Sequence, residues 1–100
     1  MKPTKTETSH LKKLAKENRK RLTEILENLD EETLTADGFD AAIVGVTEDS
    51  PVRVVYEYHT CVRVLMAVDG MSEEDAIEHM NFNVTGSYVG DHTPVFIHSL

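Results

Sequence analysis

The sequence has no tryptophan, one cysteine, three prolines and only six aromatic side chains in one hundred residues. A single thiol, Cys61, has no internal disulfide partner, so the fold rests on packing and fits a reducing compartment. The Asn83-Val84-Thr85 glycosylation pattern then matches by chance. No apolar run approaches the length of a membrane-crossing helix, and Met-Lys-Pro-Thr-Lys opens the chain with no apolar stretch behind it. These absences predict no membrane association and a cytoplasmic location, the host cytoplasm if the protein is viral. Scarcity of aromatics does not imply disorder here, because 40% apolar with 28% charged residues is an ordinary globular mixture. The length allows one domain at most, near the size where burial alone is marginal, and self-association is expected to add to it.

Basic side chains are nearly missing beyond residue 21. Residues 1–21 hold eight of the ten, against Glu7 and Glu17, for a net +6. The remainder carries Arg53 and Arg63 against sixteen acids, a net −14. An acidic body argues against nucleic acid binding by the core, and leaves the basic arm able to meet phosphates or another acidic surface.

What is present divides the chain at about residue 34. Thr4 followed by Glu7 fits a capping box, and from there to about Asp30 the composition is that of one long helix. Leu11, Ala15, Asn18, Leu22, Ile25 and Leu29 recur at alternating spacings of four and three, a short coiled-coil seam and the candidate oligomer interface. Two readings fit this stripe: a helix pairing between chains with Asn18 setting register, or an amphipathic helix lying on its own domain. Its charges oppose the macrodipole, basic first and acidic last, at a cost of about 0.3–1 kcal/mol per exposed terminal mismatch. Packing must therefore stabilise it. Residues 1–34 read as a helical arm and 35–100 as an α+β core domain.

In the core, Asp37-Gly38 signals a turn before Phe39 to Val46, a strand candidate. Thr47 to Pro51 is a loop of hairpin length, and Val52 to Tyr58 alternates Val52, Val54, Tyr56 and Tyr58 against Arg53 and Glu57. His59 to Asp69 fits strand or helix; Gly70 at a helix C-terminus, then Ser72 capping Glu73, Glu74 and Asp75, favours two helices. The second is predicted to run to about Thr85, burying Ile77, Met80 and Val84 and stopping at Gly86. Pro94 then starts a short strand, Val95 to His98. The sum is an α+β fold. It comprises a small three-stranded, mostly antiparallel sheet, built from a β-hairpin, two helices and a closing strand, with helices on one face and a long N-terminal helix besides.

Three strings in order, DGFDAAIVGV (Asp37 to Val46), DGMSEEDAIEHM (Asp69 to Met80) and NFNVTGSYVGDHTP (Asn81 to Pro94), resemble a group of short, largely uncharacterised proteins of tailed phages and prokaryotes. The resemblance spans roughly residues 37–98 and leaves out the arm. It implies a virus- or mobile-element-associated context and an accessory role, as a small regulator, host-interaction protein or ligand sponge.

The best polar cluster comprises Asp37, Asp40, Asn81, Asn83, Asp91, His92 and Thr93, where the starts of the first and last strands are expected to meet beside the end of the second helix. Asp40, Asn83, Asp91, His92 and Thr93 are the candidate ligand-binding residues; such groups bind polar ligands, and beside Gly and Pro they also form turns and caps. His59, Cys61, His79, His92 and His98 are zinc-type ligands, but His59-x-Cys61 has no common ligand spacing, so no metal is expected. Nucleophilic catalysis needs Cys61 or one of Ser72, Ser87 and Ser99 beside a histidine; Cys61 with His59 or His92 is the conceivable pair, but its valine neighbours predict burial and a raised thiol pKa, and no glycine loop cradles a phosphate. The sequence thus predicts a non-enzymatic protein without cofactor, acting as a homo-oligomer on a host or viral protein. The alternative is a small polar-ligand-binding domain, or an enzyme, centred on the Asp91/His92 loop.

Overall fold

A computed structural model of the protein describes residues 2–100. Its elements are α1 (Lys5–Leu29), a 3-10 turn (Asp40–Ala42), β1 (Ile43–Val46), β2 (Val54–Glu57), α2 (Tyr58–Val68), α3 (Glu73–His79), a π-helical turn (Met80–Val84) and β3 (Val95–Ile97). The fold is α+β. Helix α1, about 37 Å at 1.5 Å per residue, sets the 40 Å long axis.

Helix α1 starts where its capping residue dictates: the Thr4 hydroxyl accepts from the Glu7 N–H at 3.0 Å. The reciprocal half of the expected capping box is absent. The Glu7 carboxylate instead grips the Arg63 guanidinium on α2 at 2.7 and 2.6 Å, a bidentate charged pairing stronger than a bond to a neutral N–H. At the other end Asp30 takes the left-handed conformation (φ 54°, ψ 45°), one of the few non-glycine residues that tolerates it.

The apolar stripe of α1 is used mostly within the chain. Leu11 and Leu22 are buried in the same core as Val54, Tyr56, Val62 and Met80, and Ala15 packs against it. Asn18 donates to the carbonyls of Asp40, Ala41 and Ile43 at 3.0, 3.2 and 3.3 Å. A four-three stripe fits any complementary surface, and here the 3-10 turn presents converging carbonyls to the one polar residue in it. Helix α1 therefore shares its core with residues beyond 34. Ile25 and Leu29, the last two positions of the stripe, stay exposed.

The expected strand from Phe39 begins only at Ile43. Asp40–Ala42 instead coil into a 3-10 turn, held by Phe39 N–H to Ala36 O and Ala42 N–H to Phe39 O, after Gly38 at φ +88°. Ala41 and Ala42 are both buried, which a strand with only one covered face does not give. Strand β2 pairs antiparallel with β1 (Val46 with Val54, Ile43 with Tyr56), with an irregularity between Ile43 and Gly45. It pairs parallel with β3, Tyr56 opposite Phe96. The sheet order is β1-β2-β3, so the sheet is mixed, one pair of each kind, rather than mostly antiparallel. The two helices between β2 and β3 return the chain to the start of β2, as parallel pairing requires.

Tyr58, read as strand, opens α2 because Glu57 caps it: Oε1 accepts from the Thr60 N–H and hydroxyl, and Oε2 from the His59 N–H. Gly70, at φ +72°, ends α2 as expected, and the Ser72 hydroxyl caps α3 by accepting from the Asp75 N–H. Helix α3 is α-helical only to His79; Met80–Val84 widen into a π-helical turn closed by Thr85 N–H to Met80 O at 2.8 Å. Ala76 and Met80 are consequently the buried anchors, Val84 is half-buried, and Ile77 is exposed. At the centre, Tyr56 is fully buried, its hydroxyl accepting from the Ala36 N–H at 2.7 Å and its ring stacked on Phe96. Among the described residues no helix is long and apolar enough to cross a membrane.

Candidate functional site

Three segments distant in sequence enclose a cleft of about 340 Å³: the connector after α1, the π-helical turn, and the residues leading into β3. The connector arrives there because Tyr56 holds its Ala36 N–H and Arg19 donates to the Thr35 hydroxyl. The π-helical turn brings Val84 inward while Phe82, two residues earlier, points to solvent. Such turns recur at functional sites, since a widened helix re-aims its side chains. The closing segment is pinned by Arg53, whose Nε donates to the Thr93 carbonyl at 2.7 Å.

The floor of the cleft is apolar, made by Ala36, Phe39, Val84, Pro94 and Phe96. Its rim is polar, with Thr35, Asp37, His79, Asn83 and Ser87. Beside it lies a second recess of about 380 Å³, sharing His79 and Asn83 as a common wall and bounded by Met71, Asp75, Glu78 and Phe82. His79 Nδ1 and Asn83 Nδ2 are 3.5 Å apart. Phe82 is 78% exposed and Tyr88 77%, while Val89 on the cleft wall is 56% exposed. Two of the six aromatic rings thus stand largely in solvent: Phe82, which walls the second recess, and Tyr88, which lies in sequence between the cleft-lining Ser87 and Val89.

Of the five candidate ligand-binding residues, Asn83 alone lines this cleft. Asp40 opens the 3-10 turn, with Oδ2 accepting from Arg19 Nε at 3.1 Å. His92 lies with Nδ1 3.2 Å from the Val52 carbonyl, and the Thr93 hydroxyl accepts from the Val89 N–H and donates to the Gly90 carbonyl. His92 and Thr93 therefore shape the closing loop, and Asp91 is exposed upon it. Asp37 lines the cleft, and the Asn81 side chain accepts from the Tyr58 hydroxyl instead. The sequence reading weighed His79 only as a metal ligand and Ser87 only as a nucleophile, and it missed Phe82 and Tyr88. One signal was available: Phe82 falls off the apolar stripe of its own helix, between Met80 and Val84.

The chemistry of the remaining reactive groups is subdued. Burial first, and the Glu57 carboxylate second, push the Cys61 thiol up to about 12, and the side chain is fully buried. It is not a nucleophile near neutral pH. Burial likewise raises Tyr56 to about 12. Burial pushes the Glu57 carboxyl up, but bonds from Thr60, His59 and Ser99 to its charged form prevail and hold it at about 2. Neither acid nor thiol is poised for proton transfer at pH 7. Among the described residues no group of three or more His, Cys, Asp or Glu side chains is arranged to hold a metal ion. Comparison of the chain with protein-family models, with curated proteins and with solved structures gave no match.

Proposed function

We propose that the chain is a small non-enzymatic binding protein that engages a protein partner through the cleft between the connector, the π-helical turn and the closing segment. The observation that carries this reading is an apolar-floored cleft with the exposed Val89 on its wall, adjoined by a recess walled by the exposed ring of Phe82. A small ligand would fill about 340 Å³, at the lower end of ordinary ligand sites, and leave both outer rings in water. A protein surface covers cleft and rings together, and aromatic anchors beside a pocket are the usual centres of such interfaces. An accessory role in a virus or mobile element, the context the resemblance suggests, suits a chain of this size.

The test is site-directed photo-crosslinking in cells, with benzoylphenylalanine at position 88 and, as control, at the exposed position 13 on α1. A discrete adduct from position 88 that disappears with Phe82→Ser, and none from position 13, supports the reading. Native mass spectrometry that finds a bound small molecule, lost on Asn83→Ala, would instead establish a ligand-binding domain.

Self-association is a second reading with its own observation. Ile25 and Val44 border a shared recess beside β1, Leu29 stays exposed nearby in sequence, and β1 is an edge strand. An exposed apolar row next to an unpaired edge fits a second copy of the chain. Sedimentation velocity on the intact protein and on Ile25→Lys decides it: a dimer reduced to monomer supports this reading, and a monomer in both contradicts it.

A further inference from the structure

The two adjoining recesses differ in character, and the difference specifies the occupant. The recess over Phe39, Val84 and Phe96 is apolar, with Asp37 on its rim. Its neighbour is bounded by Asp75 and Glu78, with Phe82 and Met71 as its apolar walls and His79 and Asn83 shared between the two. No Lys or Arg lines either one. The cations nearest them are engaged or stand outside: Arg19 donates to the Asp40 carboxylate and the Thr35 hydroxyl, Arg53 to the Thr93 carbonyl, Arg63 is paired with Glu7, and Lys2 borders a separate recess beside Met71. The groove is therefore an apolar socket beside an anionic one, in a body whose own net charge is strongly negative.

Resting on the protein-partner reading above, we propose that the occupant is a cationic segment of the partner. It places one bulky apolar side chain over Phe39 and Phe96 and a neighbouring Lys or Arg against Asp75 and Glu78. Apolar burial supplies most of the affinity, and the acidic rim sets partner choice and association rate by repelling acidic segments. Phe82, between the two sockets, offers its face to the partner's cation or its apolar stem. The charge on the groove also keeps this surface from collecting the chain's own acidic body.

Fluorescence anisotropy on the intact protein tests this with three labelled peptides: Lys-Lys-Trp-Leu-Lys-Lys, its Glu-flanked counterpart, and a Lys-flanked Ser-Ser control. The basic peptide with the apolar centre is expected to bind at least about tenfold more tightly than either of the others. The double variant Asp75→Asn, Glu78→Gln, with its melting curve checked against the parent, is expected to remove that preference, and added salt to weaken it. Equal or tighter binding of the Glu-flanked peptide overturns the cationic occupant while leaving a protein-binding cleft intact. Equal binding of the Ser-Ser control shows unspecific charge attraction and overturns the socket assignment. No binding by any of the three up to millimolar concentration overturns both this inference and the protein-partner reading.

Discussion

Glu57 is a buried carboxylate that caps α2, and replacing it by Gln isolates what its charge contributes. Its carboxylate accepts at 2.8 Å from both the N–H and the hydroxyl of Thr60, and at 3.1 Å from the His59 N–H. The Ser99 N–H approaches at 3.4 Å and ties the chain end to the same group. The folded carboxyl sits at about 2 against an ordinary value of 4.5. At about 1.4 kcal/mol for each pH unit, that gap corresponds to roughly 3.5 kcal/mol, which screening at a helix end reduces to about 1.5–2 kcal/mol. The sign follows from the direction: with the folded value depressed, the stabilisation is complete above pH 4.5 and fades as pH falls towards 2. Glu57→Gln keeps the size and one acceptor, but turns an NH2 group towards N–H donors. In urea unfolding followed by circular dichroism, the variant should be less stable by about 1.5–2 kcal/mol at pH 7 and by only about a quarter of that at pH 2.5. A melting temperature lower by about 10 °C at pH 7 corresponds to this. An equal deficit at both pH values would refute the electrostatic argument, and no deficit at either would refute the capping role.

Three further outcomes are expected. Asn18→Ala leaves three part-buried carbonyls without their donor and should cost about 1–3 kcal/mol in the same unfolding assay, whereas Ile25→Ala, at an exposed position of the same stripe, should cost far less. A thiol reagent such as dithionitrobenzoate should fail to modify Cys61 in the native protein at pH 8 and react fully in denaturant; rapid native labelling would contradict its burial. A double-mutant cycle on Glu7→Gln and Arg63→Met should show coupling that shrinks as salt is raised, because Glu7, held below its usual value by Arg63, lies at the protein surface. Salt-independent coupling would point to packing by the arginine stem instead.

Local punctuation was legible in the sequence, and non-local partnership was not. Thr4, Gly70 and Ser72 mark helix ends because their effect is confined to one turn of chain. Val54 and Tyr56 alternate as a strand should. The stretch Phe39 to Ala42 misled because small apolar residues suit a buried strand and a tight 3-10 turn equally, and only the three carbonyls offered to Asn18 separate the two. The parallel pairing of β3 was hidden for a similar reason: a three-residue strand carries no mark of direction, which the helices before it decide. Glu57 escaped notice as a cap because glutamate is not among the usual capping residues.

The site was legible as a meeting of segments more than as a set of residues. Asp37, Asn83 and the Pro94 segment do converge, as the order of turns and helices suggested. Asp40, His92 and Thr93 are consumed by Arg19, Val52 and the closing loop, through contacts between residues 21 to 40 positions apart or folded within one turn. Phe82, two residues from the buried Met80, faces outward as helical periodicity requires, whereas the π-helical widening at Met80–Val84 is an inserted residue for which that periodicity has no term.

The most direct test of a protein-binding cleft is amide chemical-shift mapping of the intact, isotope-labelled protein against the Lys-flanked Trp-Leu peptide. The account predicts shifts concentrated in residues 35–39, 75–89 and 94–96, absent in a Phe82→Ser, Tyr88→Ser variant that keeps the parent's melting temperature. Shifts gathered instead along α1 or the β1 edge, with the cleft unmoved, would contradict it.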